Sequence, residues 1–301
     1  EAAKNQEKIM KVLLDIHRGE REVVEYRLDI KAQALMMKPG AAGVSRTMFS
    51  WGVGGACKGR EAMLTLRAFG PGRATILKKN QLKKSNRDAE AASPGMATLE
   101  HKMYVWIDEI SADDLDADNT KVLTGGQPIP VRKLHQNTRC IANYIGDVEC
   151  TFNDKPTAKD QVKLQQDSGF TRRCDGTHFT RKMHFVADDE VDALRENESA
   201  RVQKRVQSGE IAEASEDPGH GYWPISLHNE IWGENDKVPS SQTLAPFLMK
   251  MLIDRFIDAT KPGGKGWMLE RPDKVQEHTD KLWSLTTDEN YTMKPLQSWL
   301  M

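Results

Sequence analysis

The spacing of apolar residues changes twice along this chain of 301 residues, and the change limits the folds that the chain can adopt. Residues 3–18 and a second run that stops at Pro39 place apolar side chains three and four positions apart, which predicts helices. Over residues 47–152 the runs are short, often alternate apolar and polar residues, and are separated by turn-forming residues, which predicts antiparallel strands. Helical spacing returns most clearly over residues 243–259. This order of helices, strands and helices predicts an α+β fold.

The same pattern divides the chain into three regions. An N-terminal helical arm covers 1–40, a β-rich basic region covers 41–155, and a mainly helical region covers 156–301. The strands predicted in the β-rich region span 47–53, 62–69, 73–78, 102–110, 129–134 and 139–152. The helices predicted after it span 157–168, 188–208, 243–259 and 272–285.

Composition excludes several classes of protein. Hydrophobic residues make up 38% of the chain and charged residues 29%, with a mean hydropathy of −0.63, yet seven Trp argue against disorder. No run of 18 apolar residues occurs, so no membrane span is expected. Four scattered cysteines do not form a disulfide framework, and the chain begins with a charged helix rather than a signal peptide. We therefore expect a protein of the cytoplasm or of the interior of a particle, not one secreted through a signal peptide.

Residues 31–90, called here the basic segment, concentrate positive charge in an otherwise neutral chain. They hold twelve Lys and Arg against three acids, whereas the whole chain has a formal net charge of −1. Eight glycines lie between residues 40 and 72, together with Phe49 and Trp51, which can stack on bases if they are exposed. Such a composition is typical of a surface that follows a phosphate backbone. The predicted nucleic-acid-binding residues are Lys58, Arg60, Arg67, Arg73, Lys78, Lys79, Lys83, Lys84 and Arg87.

Two other interpretations of the basic segment remain open, namely a contact with a neighbouring subunit and a merely solvated face. The first functional hypothesis is a non-enzymatic structural or assembly protein associated with nucleic acid. Such a protein is similar in type to a coat protein or nucleoprotein of a virion, forms homo-oligomers and needs no cofactor. In it, the basic segment contacts nucleic acid phosphates or the next copy of the chain.

Residues 52–58, with the sequence GVGGACK, invite comparison with the phosphate-binding loop G-x-x-x-x-G-K-[ST]. The motif requires glycine at position 57 and serine or threonine at position 59. Cys57 and Gly59 stand there instead. These two departures exclude the interpretation as a phosphate-binding loop.

Cysteine and histidine gather between residues 135 and 184. A structural zinc site needs four soft or borderline ligands, often as two close pairs, and the candidates are His135, Cys140, Cys174 and His178. The spacing matches no compact zinc motif, so buried thiols and surface histidines remain the ordinary interpretation. A further group over 217–236 consists of His220, His228, Glu230, Glu234 and Asp236. These two groups support a metal-dependent hydrolase as a third hypothesis.

A second hypothesis is an enzyme that breaks and joins DNA. His178 and Arg181 form an H-x-x-R sequence, Arg60 lies far upstream, and a lysine-rich stretch with Lys83 and Lys84 lies between them. This order of residues resembles that of the tyrosine recombinases. The resemblance implies that Arg60, Lys83 or Lys84, His178 and Arg181 hold the scissile phosphate, and that Tyr222 is the nearest candidate for the nucleophile.

Overall fold

The structure contains both helices and strands, as the α+β prediction requires, but they alternate along most of the chain instead of following the predicted order of helices, strands and helices. The computed structural model describes residues 1–36, 46–79, 94–111, 115–125, 129–131, 139–141, 144, 146–153, 164, 167–214, 217, 219–234, 238–264 and 269–283. The α-helices are α1 (Ala2–Ile16), α2 (Arg21–Gln33), α3 (Lys58–Arg73), α4 (Pro94–Ala97), α5 (Ala117–Thr124), α6 (Ser168–Thr171), α7 (Val191–Gln207), α8 (Ile225–Trp232), α9 (Ala245–Thr260) and α10 (Asp273–Trp283).

The strands are β1 (Thr47–Gly52), β2 (Ala74–Ile76), β3 (Tyr104–Ile107), β4 (Ile129–Val131), β5 (Arg139–Ile141), β6 (Asp147–Phe152), β7 (Cys174–Phe179), β8 (Lys182–Val186) and β9 (His220–Pro224). Five of them form one parallel sheet in the order β2-β3-β6-β1-β7. In its centre, Phe49 of β1 lies opposite Cys150 of β6 and Gly176 of β7. The pair β8–β9 is also parallel, and the pair β4–β5 is antiparallel.

The predicted antiparallel character of the region 41–155 is wrong, because the sheet is parallel. Alternating polar and apolar residues usually indicate a sheet with one face in water. Here the polar face is covered as well: Ser50 of β1, Glu149 of β6 and Thr177 of β7 are all buried and hydrogen bond to Arg27 of α2. A buried helix charge, not water, therefore satisfies the polar positions.

The run 62–69, predicted as a strand, lies inside helix α3. Leu64, Leu66 and Ala68 suggest alternation, but only Leu64 of these three is fully buried. The buried positions of α3 include Glu61, Thr65 and Phe69, which are four residues apart as a helix requires. The helix predictions over 3–18, 188–208, 243–259 and 272–285 are confirmed within a few residues, and most of 157–168 lies outside the described residues.

A buried ion network joins the N-terminal helices to α3 and β6. Arg27 donates from Nε to Glu61 Oε1 at 2.8 Å and from Nη2 to Glu149 Oε1 at 2.6 Å. Lys31 Nζ lies 3.3 Å from Glu61 and 3.5 Å from Glu149, and His17 Nε2 lies 2.9 Å from Glu61. Burial alone would raise the pKa of both carboxyls, but Arg27 and Lys31 hold the pKa of each below its ordinary value. The network fixes the start of α3 against the sheet.

Asp147, the first residue of β6, carries a carboxyl group whose Oδ1 has no hydrogen-bond partner among the described residues. Burial raises the pKa of Asp147 to about 7. An unfolded chain releases this proton near pH ~4, so the native state holds more protons between about pH 4 and pH 7. Its contribution to stability is therefore complete at low pH and is lost as the pH rises through 7.

Replacing Asp147 with Asn removes the cost of burying this charge. We expect Asp147→Asn to stabilise the protein by about 2 kcal/mol more at pH 8 than at pH 5. Denaturant unfolding at both pH values measures the difference, with the exposed Asp189→Asn as control. A stability difference between variant and parent that does not change with pH would contradict the prediction.

Among the helices in the described ranges, none is both long enough and apolar enough to cross a membrane.

Candidate functional site

The carboxyl ends of β1, β3 and β6 open into one cavity of about 400 Å³, called here the strand-end cavity. It is lined by residues 55–60, Met63, Asp108, Glu109 and 151–153. Ligands of open parallel sheets bind outside the carboxyl ends of the strands, and the volume is typical of a small-molecule site. The cavity is therefore the candidate site that the fold itself favours.

The loop after β1 is held in place by the two strands β7 and β8. Val53 N–H donates to the carbonyl of Phe179, and Met183 N–H donates to the carbonyl of Gly55. Gly52 has a φ of +132°, and a Cβ at this position would lie 2.0 Å from the Phe179 oxygen. Only glycine fits there, because the loop and β7 run in close contact.

Cys57 has the left-handed backbone conformation, with a φ of 62°, and helix α3 begins at the next residue. Glycine adopts this conformation without strain, whereas the left-handed conformation costs another residue about 1–2 kcal/mol of conformational free energy. The order of strand, loop and helix is the one found in phosphate-binding loops, with Cys57 in the conformation that the motif assigns to glycine. Burial raises the pKa of the Cys57 thiol to about 12, so the side chain is neutral at pH 7 and is no nucleophile.

Lys58 is the first residue of α3, and its side chain is buried. Its ammonium group donates to the carbonyls of Gly52 and Val53, each at 2.7 Å. The lysine therefore lies across the loop with its charge beside the N-terminus of α3. A helix N-terminus carries partial positive charge and N–H groups that point outward, so this end of the cavity suits an anion.

Two acids that directly follow β3 also line the cavity. Asp108 accepts at Oδ1 from the Thr151 hydroxyl at 2.6 Å and from the Glu109 N–H at 3.0 Å. Glu109 has a φ of 48°, a conformation that is strained for a residue other than glycine. Asn153 follows β6 and brings an amide to the same cavity. Cations, carboxylates and an amide thus meet around one space.

The structure places the predicted nucleic-acid-binding residues in different surroundings. Arg60, Arg73, Lys78 and Lys79 are exposed, Arg67 donates to the Trp232 carbonyl, and Lys58 faces inward. Lys83, Lys84 and Arg87 lie outside the described residues. The association with nucleic acid and the formation of homo-oligomers stay predictions.

The aromatic residues of the basic segment do not form a surface for bases. Phe49 and Trp51 are buried in the sheet, where the Trp51 ring stacks on His178 with ring centres 3.7 Å apart. Phe69 is buried against Tyr104, with ring centres 5.9 Å apart. For these rings, the interpretation as core residues is the one that the structure supports.

The residues of the recombinase hypothesis are divided between two cavities. Arg60 lines the strand-end cavity, whereas Arg181 and Tyr222 line a cavity of about 790 Å³ between α1 and β9. Arg181 is 2.7 Å from Asp15, and His178 is stacked on Trp51. Lys83 lies outside the described residues. The described members therefore do not line one common cavity.

The zinc candidates fall only partly on described residues. His135 and the side chain of Cys140 lie outside them. Cys174 is a buried free thiol that donates to the Phe170 carbonyl, and burial raises its pKa well above the ordinary value. In the part of the chain that the structure describes, no group of three or more His, Cys, Asp or Glu is placed to hold a metal ion.

The candidates of the stretch 217–236 are spread in the same way. His220 Nδ1 lies 2.7 Å from His184 Nε2, and Glu230 is paired with Lys8 at 2.5 Å. His228 is buried beside the ring of Phe185. Glu234 does not line the strand-end cavity, and Asp236 lies outside the described residues.

Sequence reasoning missed Asp108, Glu109, Thr151 and Asn153. One signal was available, since the apolar run over 103–107 ends in two adjacent acids, as expected when carboxylates follow a buried strand. Asn153 has no such signal, because only the strand order brings its position next to β1 and β3.

Comparison with known proteins yields no family. No protein-family model and no curated protein match the chain. Among solved structures, the A form apo structure of the NrS-1 C terminal region has a TM-score of 0.47 at 11% identity, over 93% of this chain and 52% of that chain. A second apo structure of the same region has a TM-score of 0.44 at 11% identity, with the same coverage. The chain thus spans about half the length of the structures that it matches.

Proposed function

We propose that this protein binds a nucleoside triphosphate in the strand-end cavity and hydrolyses its terminal phosphate. One observation carries the proposal: the glycine-rich loop with Lys58, the acids Asp108 and Glu109, and Asn153 all line a single cavity at the carboxyl ends of parallel strands. This is the combination of phosphate cradle, acids and polar amide that phosphoryl transfer requires.

The loop side of the cavity supplies the site for the phosphates. The backbone of residues 55–57 and the N-terminus of α3 present N–H groups and partial positive charge to them. Lys58 exchanges its bonds to the Gly52 and Val53 carbonyls for phosphate oxygens, to which a lysine binds as a point charge. Arg60, which is exposed and also lines the cavity, adds a second positive charge.

The proposed reaction implies Mg²⁺, and the oxygen donors of the cavity fit this ion. Asp108 would supply a carboxylate, and Mg²⁺ in such sites is held by one or two carboxylates, substrate phosphates and water. The hydroxyl that follows the lysine in the motif is missing, since Gly59 stands there. When bound, Mg²⁺ neutralises charge on the β- and γ-phosphates.

Glu109 is the proposed general base. It accepts a proton from the attacking water while the water oxygen bonds to the γ-phosphorus. The bond from the γ-phosphorus to the bridging oxygen breaks, which releases a nucleoside diphosphate and inorganic phosphate. Asn153 donates amide hydrogens that orient the water or the γ-phosphate.

Replacing Lys58 with alanine tests the proposal. We expect Lys58→Ala to weaken the binding of a fluorescent ATP analogue about 10- to 100-fold, because a hydrogen bond to a charged group contributes about 1.5–3 kcal/mol. The matched control is Lys78→Ala, an exposed lysine that does not line the cavity. Fluorescence titration with and without Mg²⁺ gives the affinities, and release of inorganic phosphate gives the rate.

The titration is repeated with the other common nucleoside triphosphates, because the cavity residues do not identify the base. A parent chain that binds none of them at millimolar concentration contradicts the proposal. Equal affinities for Lys58→Ala and the parent would contradict the role given to Lys58.

A further inference from the structure

Position 59 lies beside the indole ring of Trp106. A Cβ at Gly59 would be 3.5 Å from Cζ2 and 3.8 Å from Cη2 of Trp106, which is 5% exposed. In a complete phosphate-binding loop the residue here carries a hydroxyl that binds Mg²⁺. This chain has no hydroxyl at position 59 and an indole ring next to it instead.

Trp106 also belongs to a short chain of hydrogen bonds that ends at Asp108. Its Nε1–H donates to Thr151 Oγ1 at 3.1 Å, and the Thr151 hydroxyl donates to Asp108 Oδ1 at 2.6 Å. A hydroxyl has only one hydrogen. Because the indole N–H occupies an acceptor position of this oxygen, the hydroxyl hydrogen is directed at the carboxylate.

These hydrogen bonds fix one oxygen of the Asp108 carboxylate. Asp108 Oδ1 accepts from Thr151 and from the Glu109 N–H, whereas Oδ2 has no hydrogen-bond partner among the described residues. Thr151 is buried on β6 and Asp108 follows β3, its neighbour in the sheet. The hydrogen-bond chain therefore ties two adjacent strand ends together at the acid.

We propose that Thr151 is a positioning residue, whose hydroxyl, oriented by the Trp106 indole, holds Asp108 so that its second oxygen takes the Mg²⁺ of the bound nucleotide. This role replaces the constraint that a hydroxyl at position 59 supplies elsewhere. The inference rests on the proposed function. Groups that orient a metal-binding side chain typically change metal affinity about 10- to 100-fold when they are removed.

The test separates the Mg²⁺-dependent part of nucleotide binding from the rest. A fluorescent ATP analogue is titrated in Mg²⁺ and in EDTA, and Mn²⁺ binding to the nucleotide complex is followed by electron paramagnetic resonance. We expect Thr151→Val to reduce the affinity for the ATP analogue in Mg²⁺ about 10-fold relative to the affinity in EDTA, and to leave the affinity in EDTA unchanged. The variant should also bind Mn²⁺ more weakly. Thr151→Ser should restore both, because it keeps the hydroxyl.

Two further variants complete the design. Trp106→Phe removes the indole N–H and should give a partial loss, since the hydroxyl can then turn away from Asp108. Thr124→Val is the control, because Thr124 is also buried but its hydroxyl donates to the Thr120 carbonyl within α5. Thermal unfolding verifies that each variant is folded.

If Thr151→Val binds Mn²⁺ as the parent does, and if its nucleotide affinity depends on Mg²⁺ to the same extent, the inference is overturned and the proposed function is left intact. Equal losses in Mg²⁺ and in EDTA would overturn it too, since they would indicate a structural role. A parent chain that binds no nucleotide under either condition overturns the proposed function itself. If Thr151→Val does not fold, Thr151→Ser and Trp106→Phe are compared instead. A Trp106→Phe variant with the Mg²⁺ dependence and Mn²⁺ binding of the parent would then contradict the inference.

Discussion

Glu109→Gln is expected to slow nucleoside triphosphate hydrolysis about 100-fold or more and to leave nucleotide affinity within a few-fold of the parent. A positioned general base contributes about 10²–10⁴-fold, and glutamine cannot take the proton from water. Glutamine has nearly the same shape, so the backbone of the site, with its positive φ at position 109, is kept. Release of inorganic phosphate under saturating nucleotide measures the rate, and fluorescence titration measures the affinity.

The control for this prediction is Glu196→Gln, an exposed glutamate on α7 that does not line the strand-end cavity. It should hydrolyse at the parental rate. A Glu109→Gln variant that also keeps the parental rate would remove Glu109 from the mechanism. Loss of nucleotide binding together with hydrolysis would instead assign Glu109 to binding.

Arg27→Met is expected to lower the free energy of unfolding by about 3–5 kcal/mol. The guanidinium group is 1% exposed and bonds to Glu61, Glu149, Ser50 and Thr177. Without it, Lys31 is the one cation left beside the two buried carboxylates among the described residues, because burial lowers the pKa of His17, and an uncompensated buried charge is costly. Denaturant unfolding gives the free energy directly.

Arg21→Met is the matched control, because it makes the same change on the same helix. Arg21 is exposed and lies 3.4 Å from Glu25, so its loss should change stability by no more than about 0.5 kcal/mol. Adding Glu149→Gln to Arg27→Met should recover part of the loss by removing one buried charge. A loss below about 1 kcal/mol for Arg27→Met would show that the network contributes little to stability. If Arg27→Met does not fold at all, the double variant and Arg27→Lys provide the comparison.

The two predictions are linked through α3. Glu61 of the buried network lies three residues after Lys58, on the helix whose N-terminus forms the phosphate side of the cavity. Because His17, Arg27 and Lys31 all contact Glu61, the N-terminal helices hold this part of the site in position. A weakened network is therefore expected to loosen the cavity as well as the core.

Much of the local structure was predictable. Helices α1, α9 and α10 have the spacing of three and four that packs one face against a core, and this spacing depends only on nearby residues. Strands β1 and β3 were located for the same reason, since their apolar content and flanking turns are local features. The run 62–69 was predicted as a strand but lies in helix α3. This helix follows a loop whose left-handed Cys57 could not be predicted from the residue types.

The sequence by itself thus determined where helices α1, α2, α7, α9 and α10 and strands β1 to β6 lie, and that positive charge gathers in residues 31–90. Strands β7, β8 and β9 fall in the region 156–301, which was predicted to be mainly helical. Only the tertiary structure decided that the strands run parallel, that Arg27 covers the polar face of the sheet, and that Lys58, Asp108 and Asn153 meet. The physical reason is that strand direction and neighbour order depend on contacts between distant segments. The spacing of residues along the chain does not contain information about these contacts. The loop after β1 does not match the phosphate-binding motif because Cys57, in the left-handed conformation, occupies the position where the motif has glycine.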